Sequence, residues 1–225
     1  MSLGRYVGVG LLGVALAGCG GASTAKPREV VDPGVQAAMA EQPPAWWQAR
    51  TKLHLASGMV VERCPDFVRF RCGGIAETAE DRAAEGEYVI CDLMALRRST
   101  WSVAARSVPA ERGKALAERL DLRTFPSALR AKADDRAFVL ASLAGYTLDV
   151  EAGKVFAKGP GMNHGFSVEE VTDIDGDGRE DWLVNHFDQA TLGPYRGYSL
   201  LVIRDVNRPG TLAAQPARDL LCAGR

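Results

Sequence analysis

Nine consecutive residues carry the spacing of a cation-binding loop: Asp173, Ile174, Asp175, Gly176, Asp177, Gly178, Arg179, Glu180 and Asp181. Carboxylates stand at loop positions 1, 3, 5 and 9 and glycine at position 6, where the chain must turn sharply; the Arg179 carbonyl would serve position 7. Four aspartates this close repel one another unless a cation sits among them, so metal binding and folding are expected to be coupled here. The expected ion is Ca²⁺, held by Asp173, Asp175, Asp177, Arg179 and Asp181; Mg²⁺, which prefers a regular octahedron with retained waters, fits less well. An EF-hand would need a bidentate Glu at position 12, where this chain has Val184, and the flanks read as strands. Of the three histidines, His54, His164 and His186, the last two occur as Asn163-His164 and Asn185-His186 on either side of the loop. If those two pairs meet at one end of a sheet they could hold a hydrolytic water or a zinc ion, which makes a metal-dependent hydrolase one alternative. No G-x-S-x-G elbow, H-E-x-x-H helix or P-loop is present. The leading expectation is therefore a non-enzymatic binding or structural module with no catalytic residue.

Apart from Cys19, the chain has four cysteines: Cys64, Cys72, Cys91 and Cys222. An even number in an exported protein implies two disulfides with three possible connectivities. No C-x-x-C pair and no neighbouring histidine favours zinc at these cysteines.

The elements that must position these residues change in character near 135. Before that point the pattern is mainly helical. Leu93, Leu96, Thr100 and Val103 recur at helical spacing after Cys91, with Arg97 and Arg98 on the solvated side. Pro109, Glu111, Leu116 and Leu120 predict a second helix over 109–121, and the two are expected to pack as a pair. Trp46 and Trp47 follow Pro43-Pro44 and are expected in the core or at a domain contact. After 135 strands dominate. Ala137–Leu143 is a strand candidate, and Tyr146, Leu148 and Val150 alternate before a turn at Glu151–Lys154 that leads into Val155 and Phe156. Phe166–Val171, Trp182–Phe187 and Tyr198–Ile203 bring the total to about five strands. The fold class is thus α+β: a disulfide-bearing helical segment over 35–135, then a small antiparallel sheet over 136–225 carrying a β-loop-β calcium site.

Composition agrees with a globular body: 225 residues, 47% hydrophobic and 24% charged, with 27 Lys and Arg against 28 Asp and Glu. A net charge of -1 gives no basic field for a polyphosphate backbone, so nucleic acid is not an expected partner. Tyr6–Ala17 is apolar but too short to span a bilayer, and Arg5 precedes it as the charged end of a targeting segment over 1–18. Leu16, Ala17, Gly18 and Cys19 follow, and this quartet resembles the lipobox of bacterial lipoprotein signals. The resemblance implies cleavage before Cys19, diacylglycerol on its sulfur, usually acylation of the new amine, and a lipid anchor as the membrane partner. Gly20, standing where an Asp would signal inner-membrane retention, implies the outer membrane as the destination, facing the periplasm or the surface. Residues 20–34, small and Pro-punctuated, read as a flexible tether of about 20 Å mean span.

Two further resemblances bear on the body. The Asp-x-Asp-x-Asp-Gly-x-x-Asp run from Asp173 to Asp181 resembles the calcium loops of FG-GAP and VCBS repeats, which sit between β-strands and support structure or adhesion rather than catalysis. Only 89 residues lie from 137 onward, so a complete propeller of four or more blades is not expected. Phe70, Cys72, Ala76, Thr78, Glu87, Ile90 and Cys91 resemble the Cys-paired helical domain of LprI-type lysozyme inhibitors. That resemblance implies a Cys72–Cys91 pair, leaving Cys64 for Cys222, and inhibition of an envelope hydrolase as a second alternative function.

Overall fold

The computed structural model describes residues 29–30, 44–98 and 106–223. The expected targeting segment, Cys19, Thr100 and Val103 lie outside the described residues. Secondary structure runs β1 (Glu29–Val30), α1 (Pro44–Trp47), β2 (Leu53–His54), β3 (Val60–Val61), α2 (Cys64–Phe70), α3 (Ala79–Glu85), α4 (Val89–Arg97) and α5 (Pro109–Arg119). It continues through β4 (Thr147–Glu151), β5 (Lys154–Lys158), β6 (Met162–Thr172), β7 (Asp181–Ala190), β8 (Arg196–Ile203), β9 (Ala214–Pro216) and α6 (Ala217–Cys222). The α+β class follows directly. Among the described residues no helix is long and apolar enough to cross a membrane.

Strands β4 to β9 form one antiparallel meander in chain order, and β2 and β3 form a separate two-stranded ribbon. Within the expected tether, Glu29 and Val30 pair with Val171 and Glu170, so that stretch is tied to β6 instead of hanging free. Alternation along the strands sends successive side chains to opposite faces, and both faces are covered. Trp182, Val184, Leu201 and Ile203 join one core with Leu116, Leu120, Leu122 and Phe125. Leu183, Leu200 and Val202 join the other with Phe67, Tyr88, Leu93 and Met94. Both cores draw on residues from either side of position 135, so the shift there is one of secondary structure, with packing continuous across it.

The sheet therefore separates the two helices expected to pair: α4 packs on β8 through the second core, while α5 lies on the β4–β5 hairpin through the first. Gly113 permits the latter approach, since a Cβ there would stand 2.1 Å from the Glu151 carbonyl oxygen and 2.3 Å from that of Lys154. Ala137–Leu143 is not a strand. Leu140–Ser142 is a 3-10 turn in which the Ser142 hydroxyl donates to the Val139 carbonyl at 2.7 Å, a local bond that competes with sheet pairing. Trp46 packs beside the second core, but Trp47 is 57% exposed. Arg97, expected on a solvated face, is half-buried, with Nε 3.9 Å from the fully buried Glu170 carboxylate.

The cysteines pair as Cys64–Cys91 and Cys72–Cys222. This corrects the connectivity implied by the lysozyme-inhibitor resemblance. Cys64 opens α2 and Cys91 lies in α4, two helices packed together with both sulfur-bearing residues fully buried; Cys72 follows α2 in an exposed turn that meets the end of α6.

Candidate functional site

The acidic loop connects β6 to β7, as its spacing requires. Asp173 turns the chain with its own side chain: Oδ1 accepts the Gly176 amide at 2.7 Å and Oδ2 the Gly178 amide at 2.9 Å. Gly176 and Gly178 have φ of 82° and 78°, a left-handed conformation that disfavours other residues. Oxygens of Asp173, Asp175 and Asp177 come within 4.8 Å of one another, with Asp173 buried and the other two open to solvent. That spacing and an all-oxygen donor set fit a hard cation. Asp181 begins β7 and is not part of that close trio. Its carboxylate closes the loop instead, accepting the amides of Ile174 and Asp205, each at 2.8 Å. Burial raises its pKa, and repulsion from Asp175 and Asp173 adds to the rise. The Arg179 side chain bridges Asp177 at 3.3 Å and Asp205 at 2.7 Å.

Sequence reasoning gave no role to Glu180. It is 2% exposed and gathers the amides of Arg106 and Ser107, the Ser107 hydroxyl, the Trp182 indole N–H and the Asn207 amide. Burial alone would raise its pKa, but these donors hold the carboxyl below the usual range. Glu180 thus fastens the loop to the segments at 106–107 and 207.

The two histidines of the Asn-His pairs do meet, through a partner that was not foreseen, whereas Asn163 and Asn185 stand opposite Gln189 and Ser167 and do not come together. Asp188 lies opposite His164 in the β6–β7 register and two residues beyond His186 on the same face. Its Oδ1 is 2.6 Å from His164 Nδ1 and 3.0 Å from His186 Nε2, and its Oδ2 accepts the Ala128 amide at 2.7 Å. Burial opposes ionisation of Asp188, yet the hydrogen bonds from His164 and His186 outweigh it and hold the carboxyl well below the usual carboxylate range. The His186 ring stacks on Phe166 at 4.6 Å and meets the edge of Phe125 at 5.4 Å, which fixes its plane. Its other nitrogen, Nδ1, is 3.0 Å from Ser199 Oγ on β8. The third histidine, His54, is elsewhere, hydrogen-bonded to Asp81 at 2.9 Å.

His186, Asp188 and Ser199 line a cavity of about 570 Å³. It opens where β9 stops covering β8: β9 pairs with residues 201–203, so 196–200 pair only with β7 among the described residues. The two helical layers approach each other round this free edge, Arg71, Glu85 and Arg218 from one side and Ser127 from the other. Arg71 is 1% exposed and its Nε lies 3.1 Å from Asp92. Burial pushes Asp92 up to about 6 and Glu85 up to about 7, with nearby arginines opposing the rise in each case. Comparison with protein-family models, with curated proteins and with solved structures returns no match.

Proposed function

We propose that the chain is an exported cell-envelope lipoprotein, anchored through lipid on Cys19, whose body is a binding module stapled by one calcium ion between β6 and β7. The observation that carries the reading is the convergence of the Asp173, Asp175 and Asp177 carboxylates at one end of a hairpin whose middle lines a large mixed-polarity cavity. Asp173, Asp175 and Asp177 would hold the ion, with the Arg179 carbonyl as a further ligand and Asp181 closing the loop beneath it through the Ile174 and Asp205 amides. Bound there, Ca²⁺ would neutralise the aspartates and hold together the strand ends that carry the cavity wall. His186 lies about 17 Å along β7 from Asp181, so the ion would act on the cavity through the strands. An envelope ligand or protein partner would occupy the cavity.

The test is thermal unfolding with Ca²⁺ and with chelator. At 100 times its dissociation constant the ion adds about 2.7 kcal/mol, a rise of roughly 5–10 °C in Tm for a chain of this size. Asp175→Ala, at an exposed ligand, should remove most of that rise while leaving the chelated melt in place. Superimposable melts with and without Ca²⁺ would reject the staple.

A further inference from the structure

The geometry points to a second property of the cavity wall: we propose that Ser199 is the nucleophile of an acyl-transfer centre, with His186 as its base and Asp188 as the group that orients the base and stabilises the charge it takes up. This goes beyond the binding reading and does not depend on calcium. The hydrogen bonds on Asp188 determine the direction of the relay. A carboxylate only accepts, so the ring nitrogens that face it, His164 Nδ1 and His186 Nε2, must carry protons. A His186 ring with one proton then has it on Nε2 and a lone pair on Nδ1. Across 3.0 Å the Ser199 hydroxyl can only donate to that lone pair. A hydrogen-bonded line thus runs from Ser199 through His186 to Asp188, the arrangement of roles that activates a serine, here with the two ring nitrogens exchanged relative to chymotrypsin.

A zinc ion on His164, His186 and Asp188 is the competing use of the same residues. Metal on His164 Nδ1 would force a proton onto Nε2, and ligand imidazoles tie that second N–H to an acceptor. His164 Nε2 is buried and has no hydrogen-bond partner among the described residues. The relay leaves only a lone pair there, so the surroundings favour it over the metal.

The substrate class is a carboxylic ester. Ser199 Oγ attacks the carbonyl carbon while its proton passes to His186 Nδ1. The tetrahedral adduct collapses with cleavage of the ester C–O bond, and His186 returns the proton to the departing alkoxide, releasing an alcohol. Water then attacks the acyl-serine, giving its proton to His186. The Ser199 oxygen leaves and is reprotonated, so ester and water become acid and alcohol. The cavity volume lies in the range that encloses a small organic ligand, and Phe67, Tyr88 and Leu200 supply apolar wall.

The test treats the detergent-solubilised full chain with a fluorophosphonate, which phosphonylates an activated serine with loss of fluoride. Ser127 lines the same cavity, its oxygen accepting the Arg130 amide at 3.2 Å with no hydrogen bond to a histidine among the described residues, and serves as an internal control. After trypsin the adduct is expected on the peptide spanning 197–204, at least 100-fold in excess over Ser127. Ser199→Ala should melt like the parent and lose both the adduct and hydrolysis of p-nitrophenyl acetate. Absence of an adduct on Ser199 in a cooperatively melting chain, equal labelling of Ser127, or undiminished ester hydrolysis by Ser199→Ala would each overturn the proposal.

Discussion

Opening the Cys72–Cys222 bridge should cost the fold about 5 kcal/mol. The two cysteines are separated by 150 residues, and the loop-closure entropy that such a cross-link removes from the unfolded chain gives that figure, against about 3.5 kcal/mol for the 27-residue separation of Cys64 and Cys91. Accessibility allows the longer loop to be opened selectively. Cys72 is exposed and Cys222 half-buried, whereas Cys64 and Cys91 are fully buried. A mild dithiol should therefore reduce Cys72–Cys222 first, and alkylation then traps the singly bridged species. With a urea m-value of about 2–3 kcal/mol/M, its unfolding midpoint should fall by about 2 M. Trypsin maps the pairing in the same experiment, because the four cysteines fall in separate peptides beginning at Cys64, Cys72, Ala83 and Asp219. Without reductant the first should travel with the third and the second with the fourth. Recovery of the second joined to the third, or a singly bridged species whose midpoint has not moved, would refute the reasoning.

Glu180→Ala should lower stability by about 3–5 kcal/mol in urea titrations, because the buried Trp182 N–H and its companion donors lose their acceptor. The native pKa values of Glu180 and Asp188 lie below their unfolded ones, so their contribution is present above pH about 4.5 and is lost as the pH falls below that. Calorimetric scans across that range should show the loss, attenuated in Glu180→Ala. Glu85 has the opposite sign: with a native pKa near 7, the folded state binds more protons between about 4.5 and 7, and stability declines as pH rises through that window. Glu85→Gln should be neutral at pH 4.5 and stabilising by about 1–3 kcal/mol at pH 8 in paired denaturant titrations. Cys19→Ser should move the protein from the membrane pellet to the soluble fraction on ultracentrifugation, and continued sedimentation would remove the lipid anchor from the proposal.

What the chain displays locally was legible in its sequence. Pro109 at the first turn and the apolar Leu116 two turns later mark α5, and the Glu151–Lys154 turn marks the β4–β5 hairpin. The aspartate spacing marks the loop between β6 and β7. What depends on register was not. Asp188 is unremarkable in sequence until β6 and β7 align it with His164, and Ser199 acquires a partner only when β8 sets it opposite His186. Strands of two or three residues, β2, β3 and β9, are too short to show a period. The expected pairing of α4 with α5 failed because two amphipathic helices reveal that each needs an apolar partner, without revealing that a sheet stands between them.

The two bridges interleave along the chain, in the order Cys64, Cys72, Cys91, Cys222. A protease that cuts once at any peptide bond between Cys64 and Cys222, for instance in the hairpin tip at the fully solvated Leu192, leaves both pieces joined by at least one sulfur link. Such a nicked molecule would migrate as one band until reduced, and nothing carboxy-terminal to the cut would be shed from whatever holds its amino-terminal end.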